Sequence, residues 1–310
     1  MREKAQILDE FWLKIIAFIS MTLDHVGVFM MLNFSSSKEL STTATILRII
    51  GRLAFPLFLF FLSEGLKHTQ NRKRYLFRLF VMWLGIAVVQ TVFYSYYRIA
   101  NLHNMSNAIT DLGASMGAQA FTDLLLCALF IYLIEHKNKK IRFLCVLPVL
   151  YILFSYACSV LDQYQMNAYL YFPEFLRASY NLFGFLVFLG FYYACPLIDI
   201  WVKKGLRLEG DELKKYQETR SYRGLVNTIS AASLLIIVLI IWGVSYLDWH
   251  FDVYNSPGTK IQNYCLLDCF LIMMYSGKRG YDKKWWRIFE YAFYPLHIAI
   301  IALVFTLILL

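Results

Sequence analysis

The chain has 310 residues, of which 59% are hydrophobic and 18% aromatic, and its formal net charge is +9. Apolar content this high over a whole chain excludes an ordinary soluble globular protein. Apolar stretches of about 17 to 25 residues recur along it, which is the length of a helix that crosses a bilayer. We therefore predict an all-α, polytopic membrane bundle that forms a single domain, residues 1–310.

Nine membrane spans are predicted in chain order. They are residues 11–33, 44–66, 76–98, 119–135, 142–161, 178–200, 225–247, 261–276 and 288–309. The first span contains Asp24 and His25 and has no cleavage site of small residues. We expect it to be a retained helix rather than a signal peptide that is removed.

Basic residues alternate between successive loops and predict the orientation. The loops after the second, fourth, sixth and eighth spans are rich in Lys and Arg, whereas the loops between them carry almost none. Because Lys and Arg accumulate in cytoplasmic loops, we expect the N-terminus inside and the C-terminus outside. Residues 201–224 form the predicted cytoplasmic segment, and 99–118 and 162–177 the outer loops. This pattern assigns the positive charge to topology and anionic lipids, not to nucleic acid.

Ionisable residues occur inside three predicted spans. Asp24 and His25 lie about 12 Å below the outer end of the first span, Arg52 lies at about the same depth in the second, and His297 lies near the middle of the last. Charged groups inside a membrane are costly and indicate a functional site. We predict that Asp24, His25 and Arg52 line one cavity. The alternative is a buried Asp24–Arg52 pair that only fixes two helices.

The stretch from residue 47 to 78 combines an apolar span with basic residues at both ends. Arg48 and Arg52 are four residues apart and share a helix face. Pro56 cannot donate to the carbonyl of Arg52, so we expect the helix to kink or open one turn past Arg52. Glu64 precedes Lys67 by three residues, which predicts a local ion pair at the helix end.

The cysteines, the remaining polar residues and the short motifs give little support for a metal, nucleotide-binding or hydrolase site. All six cysteines lie in apolar spans and are interpreted as buried side chains rather than metal ligands: Cys127, Cys145, Cys158, Cys195, Cys265 and Cys269. Asp248, His250 and Asp252 alternate in an outer loop, which is weak evidence for a metal site. No P-loop, GxGxxG, HExxH or GxSxG pattern occurs, so nucleotide-binding and hydrolase folds have no support.

Residues 47–78 resemble the signature of the TraX family, whose best-known member acetylates the N-terminus of conjugative pilin. Further elements of that family have counterparts along essentially the whole chain. They are Asp24-His25-Val26-Gly27, Phe121-Thr122, Tyr180 with Gly184, Tyr275-Ser276-Gly277-Lys278-Arg279-Gly280, and Tyr294-Pro295-Leu296-His297. Two positions depart from the pattern, with Asn181 in place of a glycine and Ser276 in place of an asparagine.

The TraX family is similar to wider membrane acyltransferases that bring acetyl-CoA from the cytosol to an acceptor on the other side. The resemblance implies a transmembrane acyltransferase-like domain in the bacterial inner, or cytoplasmic, membrane. It implies an acyl-CoA-dependent N-acetyltransferase that uses acetyl-CoA as co-substrate, without a metal. The acceptor would be an amine, such as the N-terminus of a membrane-associated, pilin-like peptide.

An N-acetyltransferase needs a base, because an ammonium must lose a proton before it attacks a thioester. His25 is the first candidate and His297 the second, while Arg52 would stabilise the oxyanion or orient Asp24. The candidate ligands of the CoA phosphates are cytoplasmic cations, which topology explains equally well: Lys67, Arg72, Lys73, Lys278 and Arg279. The candidate substrate pocket comprises Arg48, Tyr180 and Tyr294.

Two other classes of function fit the same residues. A secondary transporter or proton-coupled channel also places Asp, His and Arg inside membrane helices, although the sequence has no related halves. A non-catalytic assembly factor would bind a pilin-like partner. Within the enzyme hypothesis, direct transfer is favoured over an acyl-enzyme, because no cysteine lies beside a basic residue that would activate it.

Overall fold

A computed structural model describes residues 6–34, 37–102, 119–246 and 259–309. Their regular secondary structure is helical, with only two isolated bridges, Leu8 to Tyr275 and Gln119 to Ala178. The predicted all-α fold is thereby confirmed. The outer loop at 99–118 lies largely outside the described residues, and Asp248, His250 and Asp252 lie outside them entirely.

The helices follow one another along the chain in the order of the predicted spans. They are α1 (Glu10–Asn33), α2 (Lys38–Gly51), α3 (Ala54–His68), α4 (Arg72–Leu102), α5 (Ala120–Ile134), α6 (Lys139–Phe143), α7 (Val146–Gln163), α8 (Asn181–Gly205), α9 (Gly210–Gln217), α10 (Arg220–Tyr246), α11 (Asp268–Met273) and α12 (Lys284–Leu309). Among the described residues, three stretches are 3₁₀-helical, Ala168–Leu170, Glu174–Leu176 and Thr259–Leu267.

Seven helical stretches of the described chain are long and apolar enough to cross a membrane. They are Glu10–Asn33, Lys38–His68, Arg72–Tyr96, Lys139–Gln163, Asn181–Gly205, Arg220–Val244 and Lys284–Ile308. Ala120–Ile134 and Ile261–Met273 are apolar but shorter, and they coincide with the fourth and eighth predicted spans. The protein is therefore a multi-pass membrane protein, while the count of nine spans is not confirmed.

The orientation gives a prediction that also tests whether the number of spans is odd. If nine segments cross, a reporter fused after the C-terminus should be active only outside the cytoplasm, and one fused before residue 6 only inside it. Reporter fusions at both ends measure this directly, with a fusion in the basic 201–224 segment as the cytoplasmic reference. Two termini on the same side would require an even number of crossings.

The second span is broken at its arginine, one turn earlier than predicted. α2 ends at Gly51 and α3 begins at Ala54, so Arg52 and Leu53 form a turn between them. Pro56 lies in the first turn of α3, where a proline is tolerated because the missing N–H has no intrahelical partner there. The prediction of a kink past Arg52 is therefore wrong, since the helix restarts before the proline instead of bending after it.

The chain divides into two compact units. The first unit comprises the described residues of 1–67, 186–251 and 260–290, and the second unit those of 68–185, 252–259 and 291–310. Helices α8 and α12 each contribute residues to both units. The single domain remains a prediction.

In the first unit, backbone hydrogen bonds join the residues just before α1 to those just after α11. Leu8 N–H donates to Met274 O at 3.0 Å and Ser276 N–H donates to Leu8 O at 2.7 Å. Asp9 then caps α1 by accepting from Trp12 N–H at 3.0 Å. Gly280 sits against the Asp9 carboxylate at a φ of +69°, and a Cβ there would lie 2.3 Å from Asp9 Oδ2. Only glycine combines this backbone conformation with this close approach.

The predicted cytoplasmic segment also packs within the first unit. Leu213 of α9 joins an apolar cluster with Ile198 and Val202 of α8 and Val226 of α10. Asp199 of α8 accepts hydrogen bonds from Tyr222 Oη at 2.8 Å and Gln217 Nε2 at 2.9 Å. The segment is therefore a folded part of the bundle, whose position on the cytoplasmic side remains a prediction.

Candidate functional site

Two glycines bring α1 and α2 into close contact. A Cβ at Gly27 would lie 2.7 Å from both Ala44 O and Arg48 Cγ, and a Cβ at Gly51 would lie 2.3 Å from Asp24 Cβ. Real Cβ atoms do not approach so closely, so these positions require hydrogen in place of a side chain. The glycines place the Asp24 side chain directly against the end of α2.

Asp24 and Arg52 form a partly buried ion pair, the arrangement predicted from the sequence as the alternative to a cavity. Arg52 is 6% exposed, and its Nη2 donates to Asp24 Oδ1. Its Nη1 donates to Gln262 Oε1 at 3.3 Å, and its Nε donates to the carbonyl oxygen of Arg48 at 3.2 Å. Each nitrogen of the guanidinium group thus has an acceptor, which fixes its plane.

Arg48 adds a second positive charge to the same carboxylate. Its Nε lies 3.8 Å from Asp24 Oδ1, and its Nη1 contacts the Met31 sulfur at 3.3 Å. Two guanidinium groups therefore flank one carboxylate in a partly buried environment. The cluster, which we call the Asp24 cluster (Asp24, Arg48, Arg52 and Gln262), has a net charge of +1 and is suited to stabilise an additional negative charge.

His25 follows Asp24 but makes a different interaction. Its Nδ1 lies 2.9 Å from the carbonyl oxygen of Met21, one turn earlier in α1. A carbonyl oxygen only accepts hydrogen bonds, so we assign the proton of the neutral ring to Nδ1. Nε2 then carries the lone pair, which is the form that a general base requires.

The second unit contains the other histidine in an aromatic setting. His297 is 5% exposed, and its Nδ1 lies 2.9 Å from Phe293 O, which leaves the lone pair on Nε2 here as well. Its ring stacks on Phe293 at 5.1 Å between centroids and meets Tyr294 at 5.6 Å. Tyr294 contacts Phe121 at 4.7 Å and lies within electrostatic range of Tyr180.

This arrangement distributes the predicted site residues over both units. Asp24, His25, Arg48 and Arg52 lie in the first unit, whereas Tyr180, Tyr294 and His297 lie in the second. The predicted pocket of Arg48, Tyr180 and Tyr294 therefore remains a prediction. Within the second unit, the Phe-Thr, Tyr180 and Tyr-Pro-x-His elements do come together.

Asp123 is a buried residue that the sequence reasoning missed. It is 1% exposed, and its carboxylate accepts the backbone N–H groups of Ser179 at 2.7 Å, Tyr180 at 3.2 Å and Asn181 at 2.8 Å. A carboxylate that accepts from Asn181 N–H and from the two residues before α8 also complements the positive end of the helix dipole. Its position directly after the TraX-like element Phe121-Thr122 is the sequence signal that could have identified it.

Removing this cap gives a test of stability. Asp123→Ala leaves the N–H groups of Ser179, Tyr180 and Asn181 without this acceptor, and a buried N–H such as that of Asn181 costs about 1–3 kcal/mol when it is left unbonded. We expect the detergent-solubilised variant to melt at a clearly lower temperature, or not to accumulate. Asp211→Ala is the control, because the Asp211 side chain is 91% exposed. Equal melting temperatures for both variants would contradict the capping role.

Lys67 makes the predicted ion pair with Glu64, at 3.3 Å. Glu64 is 5% exposed and also accepts from Arg223 of α10 at 2.8 Å, while Lys67 donates to Phe191 O of α8 at 3.0 Å. The pair predicted from local spacing is therefore part of a network that joins three helices. A role for Lys67 at CoA phosphates would compete with these contacts.

The other candidate CoA ligands lie nearer the surface. In the second unit, Arg72 forms an ion pair with Glu135, and Lys73 is exposed. In the first unit, Lys278 and Arg279 are exposed and lie between Gly277 and Gly280. We call residues 277–280 the glycine turn; its backbone accepts a hydrogen bond from Glu10 N–H at the start of α1. A CoA site made of these residues remains a prediction.

Asp282 balances the charge of this glycine turn. It accepts from Arg279 at 3.3 Å and from Arg287 Nη2 at 2.7 Å. The hydrogen bond from Arg287 lowers the pKa of the Asp282 carboxyl below its ordinary value. Asp282 therefore stays ionised at neutral pH and offsets part of the positive charge of the turn.

Comparison with known proteins identifies the family. The family model described as TraX protein matches residues 10–195, more than half of the chain. The chain belongs to the TraX family. The match includes Asp24, His25, Arg48, Arg52 and Asp123, so the TraX region contains most of the Asp24 cluster. Gln262, Tyr294 and His297 lie beyond it, and their resemblance to TraX elements rests on the motifs quoted above.

One relative carries a name that concerns fimbriae. The chain is 41% identical over 86 residues to the "Probable fimbrial assembly protein FimC, serogroup H1" of Dichelobacter nodosus. The alignment covers 28% of the chain and 31% of that protein, so the two are compared over less than a third of either. No solved structure matches the chain.

Proposed function

We propose that this TraX protein is a membrane-embedded acetyltransferase that moves acetyl from acetyl-CoA to an amine. The observation that carries the proposal is the Asp24 cluster, in which two guanidinium groups flank one carboxylate next to a histidine with its lone pair on Nε2. Acyl transfer needs a base and a positive charge that stabilises an oxyanion. Membership of the TraX family supports the same chemistry.

In this mechanism His25 and the arginines have separate roles. Nε2 of His25 takes a proton from the acceptor ammonium, and the resulting amine attacks the thioester carbonyl. The oxygen of the tetrahedral intermediate becomes negative, and the excess positive charge of the cluster stabilises it. Asp24 holds Arg52 in place through their ion pair, so Asp24 is a positioning residue.

The cluster has more positive charge than a purely structural pair needs. A single Asp–Arg pair would fix α1 to α2 without net charge, whereas the second, partly buried guanidinium of Arg48 adds a desolvation cost. A cost of this kind is typical of residues that serve an additional ligand. This argument favours the enzyme over the structural interpretation of Asp24 and Arg52.

The acceptor in the proposal is a peptide with a free N-terminus at the membrane. The relative from Dichelobacter nodosus is named for fimbrial assembly, which supports a pilin-like acceptor for this chain. In the first unit, the exposed cations Lys278 and Arg279 would meet the phosphates of acetyl-CoA on the cytoplasmic side. The proposed location is the bacterial inner membrane, with lipids as the surrounding partners.

Transfer of label from radiolabelled acetyl-CoA is the deciding experiment. Purified protein in lipid nanodiscs is incubated with a peptide that has a free N-terminus and, as control, with the same peptide carrying a blocked N-terminus. The proposal requires label in the free peptide only. Peptide binding without transfer would support an assembly factor. Proton or solute flux into proteoliposomes without transfer would support a transporter.

A further inference from the structure

Helix α7 of the second unit exposes an apolar stripe that continues past the end of the helix. The residues of the stripe lie three, four or seven positions apart and therefore share one helix face. They are Leu147, Leu150, Phe154, Leu161 and Tyr164. Exposed apolar surface of this kind marks an interaction with a membrane or a partner. Because α7 belongs to a membrane-spanning helix, the stripe faces the lipid.

The turn at the end of α7 extends this apolar surface into the following loop. Gln165 N–H donates to Asp162 O at 2.9 Å, and Met166 N–H donates to Leu161 O at 3.0 Å. With Gln165 at a φ of +59°, this is the Schellman arrangement, in which an apolar residue after the cap meets one in the last turn. Met166 is 64% exposed and Leu161 is also exposed, so Met166 prolongs the stripe.

The loop then returns along α7 instead of leaving it. Ala178 N–H donates to Ser155 Oγ at 3.0 Å, and the Phe172 ring contacts the Phe154 ring at 5.2 Å between centroids. Ser155 lies eight residues, or about 12 Å, before the end of the span Lys139–Gln163. That span of 25 residues is about 37 Å long and exceeds a hydrocarbon core of about 30 Å by less than this distance. The level of Ser155 is therefore inside the bilayer.

Protein side chains satisfy the irregular backbone of this loop. Arg177 is 1% exposed, and its Nε and Nη2 donate to Phe172 O at 2.9 and 2.6 Å. Its Nη1 donates to Asp162 Oδ2 at 2.7 Å, which fixes the loop to the end of α7. Tyr151 Oη donates to Leu176 O at 2.8 Å. Non-helical backbone at membrane depth requires such partners, because lipid supplies none.

We propose that residues 164–176 lie in the interfacial layer of the bilayer beside α7, with lipid as their partner. Tyr171 is 90% exposed and Leu170 beside it is exposed as well, and tyrosine rings are enriched at the level of the headgroups. Glu174 is the single charged residue among the exposed positions of 164–176, and it lies within electrostatic range of Arg177. Polar Gln and Asn side chains at the other exposed positions suit the headgroup layer.

Continuity of the apolar surface favours lipid over a protein partner. The loop begins on the lipid-facing stripe at Tyr164 and returns to it at Phe154, so the exposed rings of the loop adjoin side chains that already contact acyl chains. The proposal uses only the second unit and the membrane-spanning nature of α7. It therefore holds whether or not the protein transfers acetyl.

Photo-crosslinking tests the proposal. A benzophenone amino acid replaces Tyr171, or Leu170 in a second variant, and the full chain is irradiated in nanodiscs of phosphatidylethanolamine and phosphatidylglycerol. Mass spectrometry should find lipid adducts at both positions, in a yield similar to that at Leu150 on the stripe. Lys214, whose side chain is 76% exposed in the basic 201–224 segment, is the water-exposed control and should give none.

The same variants irradiated in cell membranes distinguish lipid from a protein partner. Lipid adducts in both preparations support the proposal. Adducts to another protein in place of lipid, or no lipid adduct in nanodiscs in which Leu150 gives one, would overturn it. Because the Tyr171 side chain is almost fully exposed, its replacement should leave the melting temperature unchanged, which confirms that each irradiated variant is folded.

Discussion

Arg52→Ala is expected to lower the free energy of unfolding by up to about 3–5 kcal/mol, because it leaves the partly buried Asp24 carboxylate without its closest countercharge. It also removes a donor from Gln262 and the fixed bond to Arg48 O. Denaturation of the solubilised protein measures the loss. The rate of acetyl transfer should also fall in this variant.

A double substitution distinguishes the ion pair from simple packing. Asp24→Leu combined with Arg52→Met removes both charges together, and replacing both partners of a buried pair is far less costly than removing one. The double variant should therefore be more stable than Arg52→Ala while remaining inactive. Arg78→Ala serves as the control for loss of an exposed arginine. If Arg52→Ala is as stable as Arg78→Ala, the pair does not hold α1 against α2.

His25→Ala is expected to remove most acetyl transfer with little effect on stability. The side chain bonds to Met21 O of its own helix, and loss of a hydrogen bond between neutral groups typically costs about 1 kcal/mol. Loss of a general base typically lowers the rate about 10²–10⁴-fold. Turnover with radiolabelled acetyl-CoA and the melting temperature are measured on the same preparation, and only the first should change.

His297→Ala decides which histidine is the base. The two histidines make the same hydrogen bond to the carbonyl one turn earlier, so both have the lone pair on Nε2. If His25→Ala retains full turnover and His297→Ala loses it, the base is His297 and our assignment is wrong. If His297→Ala retains turnover, its ring serves to pack against Phe293 and Tyr294.

Local spacing predicted those parts of the structure that local geometry controls. Apolar length predicted the helices, and the i, i+3 spacing predicted the Glu64–Lys67 pair. Equal depth in adjacent spans predicted that Asp24 and Arg52 lie close together, because two neighbouring helices of known direction leave few other partners for a charge inside the membrane. Each of these inferences uses residues within one helix or two successive ones.

The missed contacts join residues that are far apart in the sequence. Gln262 meets Arg52 from 210 positions away, and Arg223 meets Glu64 from 159. Asp123 caps a helix that begins 58 residues later. A single sequence contains no periodicity that records such pairs, since they result from helix packing. The break at Arg52–Leu53 was misplaced for a related reason, because proline alone does not tell a helix start from a kink.

The hydrogen bonds of Leu8 with Met274 and Ser276 have a consequence for biosynthesis. Leu8 leaves the ribosome before Met274 and Ser276, which are synthesised only after the intervening helices α1 to α11. Throughout that interval α1 to α3 must reside in the bilayer without these bonds, with two arginines and an aspartate in apolar helices. The Asp24–Arg52 pair needs only the first 52 residues, so it can form as soon as the second span emerges. The pair then lowers the free-energy cost of placing these charged residues in the bilayer.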